Sequence, residues 1–95
     1  MKIIVIFERT FKAQTAETGV RKAMPLVGRC EQFADAYGFI VRCDHFGAFD
    51  GNFPLRVCFD VEGDDKGILL KMAALFVFAA GEELSLVNQT LYPEH

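Results

Sequence analysis

Ninety-five residues with a net charge of −3, 52% hydrophobic side chains and ten phenylalanines make one small domain with more apolar surface than a single core of that size hides. The lack of any Lys or Arg run excludes the basic stripe that nucleic-acid partners demand, and no apolar stretch is long enough to span a bilayer. Three cysteines, an odd number without a CxxC, read as reduced thiols in the cytoplasm; Met1-Lys2 leads into a short apolar run without the cleavage site of a signal peptide.

In chain order, Lys2–Glu8 is apolar on both faces, as a central strand is. Val20–Tyr37 follows with Val20, Ala23, Met24, Val27, Cys30, Phe33, Ala34 and Tyr37 on one helical stripe. Thr15 or Thr18 is positioned to cap it, Pro25 predicts a kink or a fresh start, and Gly38 supplies the stop. Phe39–His45 and Leu55–Val61 alternate as strands. Gly63-Asp64-Asp65 reads as a turn and N-cap, Asp65–Ala80 as a second helix ended by Gly81, and Leu84–Gln89 as the last strand.

Strand–helix–strand twice over predicts an α+β, ferredoxin-like βαββαβ sandwich with a four-stranded antiparallel sheet and two helices on one face. Residues 1–90 form the single domain and 91–95 a C-terminal tail. The helices shield one side only. With Val57, Phe59 and Val61 facing them, Arg56, Cys58 and Asp60 face away, joined by Ile4 and Ile6 or else by Ile3, Val5 and Phe7. At ~25 cal/mol per Å² of apolar area, leaving two or three such side chains wet forfeits several kcal/mol. A second copy or a ligand would cover them, which makes Ile4, Ile6 and Phe46 candidate oligomer contacts. The plainer alternative is that Phe11, Phe46 or the tail folds over the same face.

The segment from Asp44 to Pro54 is longer than a tight hairpin needs and carries Phe46, Phe49 and Phe53. It is either an aromatic clamp for a planar ligand or partner, or a plug that seals the core. His45 lacks the further ligands that a metal site needs, and no Ser or Cys is paired with it as a nucleophile. No metal and no cofactor is expected. Glu82-Glu83 puts two carboxylates at a helix C-terminus, against the helix dipole, and such local disagreement can mark function. Walker, GxGxxG, HExxH and GxSxG motifs are absent from the sequence.

The element order, Gly47-x-Phe49-x-Gly51, the strand from Pro54 to Val61, and Gly81-Glu82-Glu83-Leu84-Ser85-Leu86 together resemble the phage-encoded S-adenosylmethionine lyases, formerly called hydrolases, across residues 39–90. The resemblance implies a trimer that holds its ligand between subunits, in the cytoplasm of an infected bacterium. It also implies a tyrosine and a glutamate where this chain has Phe49 and Phe53, so the groups that catalyse the lyase reaction are missing. The expectation that follows is a phage-type accessory protein that binds or sequesters an adenosyl or nucleotide-like ligand through Phe49, Phe53, Asp50, Glu82 and Glu83. No catalytic residue is assigned. A divergent lyase and a host-protein interaction module are the alternatives.

Overall fold

Two long central strands carry the molecule. The computed structural model describes residues 1–93 and places β1 over Lys2–Lys12 and β3 over Asn52–Glu62. They pair antiparallel along their whole length, from Lys2↔Glu62 to Lys12↔Asn52. Strand β2 (Ile40–His45) lies outside β3 and β4 (Ser85–Tyr92) outside β1, giving the order β2-β3-β1-β4 with every pairing antiparallel. Helix α1 (Ala16–Tyr37) connects β1 to β2, and α2 (Lys66–Ala80) connects β3 to β4. This is the ferredoxin-like arrangement that the changes of period predict.

The central strands run further than their apolar runs suggest, because each supplies the other with backbone partners. Pro54 is tolerated inside β3 because it stands just past the last β2 pair, His45↔Leu55, where β3 has a neighbour on one side only. At the other end, Leu91 and Tyr92 pair with Ile3 and Lys2, so they belong to β4 and not to a tail. Glu94 and His95 lie outside the described residues.

Alternation sets the faces. Ile3, Val5 and Phe7 are buried under the helices together with Leu55, Val57, Phe59 and Val61. Ile4 and Ile6 therefore take the open face, where they are half-buried among their cross-strand neighbours Asp60, Cys58, Thr90 and Asn88. Phe11 packs against the helix-side core, and Phe46 is 70% exposed, so neither roofs the open face.

Helix α1 starts where Thr15 accepts a hydrogen bond from the Thr18 backbone N–H at 3.2 Å, and it ends at Gly38, whose φ of 76° is the left-handed stop. It continues through Pro25 without a second start. Its inner face is Gly19, Ala23, Leu26, Cys30 and Ala34, while Val20, Met24 and Tyr37, assigned inward by their spacing, are exposed. The helix is rotated so that Gly19 meets Phe53 of β3, which lets its first turn lie close to the sheet. Helix α2 is capped by Asp65, whose Oδ1 accepts from the Ile68 N–H at 3.2 Å. Asp65→Ala is expected to cost about 1 kcal/mol, read as a lower urea midpoint at unchanged m-value.

The core between sheet and helices is built on phenylalanine. The ring of Phe76 lies 3.9 Å from that of Phe39, 4.4 Å from Phe59 and 5.6 Å from Phe33, centroid to centroid. Phe7 meets Phe59 edge-on at 6.0 Å. Phe59 and Phe76 stack, while the other contacts are tilted or edge-on, and both arrangements suit the charge distribution of the rings.

Candidate functional site

The turn that follows α2 is where the site is built. The Ala80 carbonyl accepts from the N–H groups of both Glu83, at 3.0 Å, and Leu84, at 2.8 Å. Gly81 stays right-handed, with φ −61°, so the chain makes one further tight turn before β4. That turn brings Glu83 back over the gap between the helices and buries Leu84 beneath it.

The gap is an apolar cavity of about 150 Å³. Cys30 and Phe33 line it from α1, Phe76 and Ala80 from α2, and Phe59 from the sheet. The short side chains of Cys30 and Ala80 leave the space, and the three rings give it aromatic walls. A cavity of about this size with apolar walls holds one aromatic ring. Burial, and after it the neighbouring Cys43, push the Cys30 thiol up to about 11, so at neutral pH it is a protonated wall group and not a nucleophile.

A charged pair stands at the rim. Arg29 donates from Nη2 to Glu83 Oε1 at 2.5 Å and from Nε to Glu83 Oε2 at 3.2 Å. The geometry is forked, but both side chains are half exposed, and a pair in that setting contributes at most about 1 kcal/mol. Its partners are therefore exchangeable for polar groups of a ligand. On the other side of Glu83 lies a polar cleft of about 310 Å³, lined by Glu8, Arg9, Thr10, Glu82, Glu83 and Ser85. Arg9 Nη1 donates to the Glu83 carbonyl at 3.3 Å and pins the turn to β1. Glu83 and Leu84 line both spaces, so an aromatic hole and a carboxylate- and hydroxyl-bearing cleft adjoin along one residue pair.

Of the residues singled out in the sequence, Glu82 and Glu83 lie here. Phe49, Asp50 and Phe53 line neither space. Phe53 is fully buried, with 0% exposure, and this corrects its reading as a ligand contact. Its ring fills the place where Gly19 has no side chain: a Cβ at Gly19 would fall 2.2 Å from Phe53 Cγ. The His45 ring packs 4.7 Å away, and His45 Nδ1 accepts from the Gly47 N–H at 3.2 Å, so the histidine steadies the loop. Phe53 is thus the plug, while Phe46 and Phe49 remain exposed. Asp50 and Gly51, with φ of 52° and 74°, form a two-residue hairpin turn closed by mutual Phe49 and Asn52 backbone bonds of 2.9 Å. The long loop therefore ends in a tight turn of Asp-Gly type, a signal present in the sequence and masked by the flanking phenylalanines.

Arg29 and the three-ring wall were not predicted as site residues. Cys30 and Phe33 read as ordinary inner-face positions, and nothing in the spacing tells how far two helices diverge above a sheet. Among the described residues no cluster of three or more His, Cys, Asp or Glu side chains is placed to hold a metal ion, and no helix is long and apolar enough to cross a membrane. Comparison with family models, with curated proteins and with solved structures found no match to this chain.

Proposed function

We propose that the protein binds a small nucleoside-like ligand, with part of a planar base in the aromatic cavity and sugar hydroxyls or an amine in the cleft at Glu82 and Glu83. The observation that carries this reading is the meeting of an apolar and a polar space at Glu83. A cavity of about one ring's volume takes the inner ring of a bicyclic base and leaves the rest at the mouth. Glu82 and Glu83 at the cleft are acceptors for vicinal hydroxyls or an amine, with Arg9 lining the same space. Neutral and cationic adenosyl compounds, S-adenosylmethionine and methylthioadenosine among them, are accordingly the ligands to try first, as the phage-lyase resemblance also suggests. In this reading the pocket belongs to one chain, and Glu82 and Glu83 take the role that Phe49, Asp50 and Phe53 were expected to share.

Binding without turnover is the proposed activity, with sequestration of such a compound as its use by a phage-type accessory protein. Neither Phe49 nor Phe53 carries the hydroxyl or carboxylate of the resembled lyases. Titration calorimetry against adenosine, methylthioadenosine and S-adenosylmethionine tests the proposal. Saturable binding to the wild type is expected. Ala80→Leu, which fills the cavity, should weaken it by about tenfold or more, and Glu83→Gln should shift preference away from the cationic ligand. Absence of binding by any of the three at millimolar concentration overturns the reading, and release of methylthioadenosine from S-adenosylmethionine overturns the part that denies turnover.

A further inference from the structure

The two edges of the sheet are built differently. Strand β4 is broken by a bulge: pairing slips between Ile6↔Asn88 and Phe7↔Leu86, leaving Val87 without an opposite residue. A bulge of this kind twists an edge and discourages further pairing. Strand β2 keeps one register with β3 from Ile40↔Asp60 to His45↔Leu55, and among the described residues its outer side has no neighbouring strand.

The segment on that regular edge has two-fold character about its centre. Read outward from Cys43, Ile40-Val41-Arg42-Cys43-Asp44-His45-Phe46 places Arg42 against Asp44, Val41 against His45 and Ile40 against Phe46. Arg42, Asp44 and Ile40 share the open face, opposite Cys58, Arg56 and Asp60. Ile40 is 67% exposed, and its counterpart in this scheme, Phe46, is as bare.

We propose that β2 pairs with β2 of a second copy, antiparallel and centred on Cys43, to give a symmetric dimer with one continuous eight-stranded sheet. In that register Arg42 of each copy stands opposite Asp44 of the other, so one two-fold axis makes two charge pairs. Ile40 of each copy meets Phe46 of the other, which gives both exposed side chains an apolar neighbour. Sliding by two residues sets like charges opposite each other, arginine against arginine or aspartate against aspartate. Sliding by one turns the wrong face outward. The charges thus select one register and one partner, another copy of this chain. Within a single chain Arg42 Nε stands 3.5 Å from Asp44 Oδ2, an exposed contact that is readily exchanged for the intermolecular one.

Sedimentation with a charge-swap series tests the dimer. The wild type is expected to dimerise. Arg42→Asp alone and Asp44→Arg alone should each weaken association by about tenfold or more, because each sets like charges across the joint. An equimolar mixture of the two variants should restore dimers, since every cross-joint pair is then complementary, and so should the double swap within one chain. A wild type that stays monomeric at millimolar concentration overturns the proposal. A three-copy ring, single variants that dimerise as well as the wild type, or failure of both the mixture and the double swap to recover dimers would do the same.

Discussion

Truncation of Phe76 to alanine is expected to lower stability by about 3–5 kcal/mol, the range for removing a large buried ring. Phe76 is 1% exposed and its ring touches those of Phe33, Phe39 and Phe59, so its loss leaves three partners facing a void. Domains of this size have about 5–15 kcal/mol in total, which makes the change a fifth or more of the reserve. Phe78, two residues further along α2 and exposed, is the control: Phe78→Ser should stay within about 0.5 kcal/mol of the wild type. Urea denaturation followed by circular dichroism reads both. A loss below about 1 kcal/mol for Phe76→Ala would mean that the ring cluster is not the core. Because Phe76 also walls the aromatic cavity, the same substitution enlarges that space, and affinity for any ring-shaped ligand should fall with it.

The second large effect has an unusual sign. Glycine to alanine within a helix ordinarily stabilises by about 0.5–1 kcal/mol. At Gly19 the added methyl would lie 2.2 Å from Phe53 Cγ, 2.3 Å from Cδ2 and 2.8 Å from Cβ. The last of these is fixed by the β3 backbone, and the ring is buried, so the side chain cannot swing clear. Gly19→Ala is therefore expected to destabilise by about 1–3 kcal/mol, the usual cost of overpacking. Pairing it with Phe53→Leu should recover part of the loss, and a double-mutant cycle measures the coupling. Stabilisation by Gly19→Ala alone would show that α1 does not sit on Phe53.

These two positions also explain what was and was not legible in the sequence. The element order was, because Ile3, Val5 and Phe7 recur every two residues while Leu69, Ala73 and Phe76 recur at helical spacing. The rotation of α1 was not. Val20 and Met24 are the more hydrophobic choice beside Ala23, Cys30 and Ala34, but the helix turns to bury Gly19 and Leu26 in their place, a choice that exists only once Phe53 needs room. The same contact decides between clamp and plug for the 44–54 loop, and no pattern within the loop carries it. Glu82-Glu83 stood out because two carboxylates at a helix end are locally unfavourable. Its partner Arg29 did not, since the pair bridges residues 54 apart in sequence.

The location of β1 at the centre of the sheet has a consequence for how the chain comes to be folded. Its two neighbours are β3 and β4, so β1 waits for residues 77 to 90 positions away before both its edges are satisfied. Contacts of such wide separation slow folding, since the intervening chain must be ordered before they repay it. Until the ribosome has delivered β4, an Ile-Ile-Val-Ile-Phe run remains open to other chains, and high rates of synthesis should favour inclusion bodies over active protein.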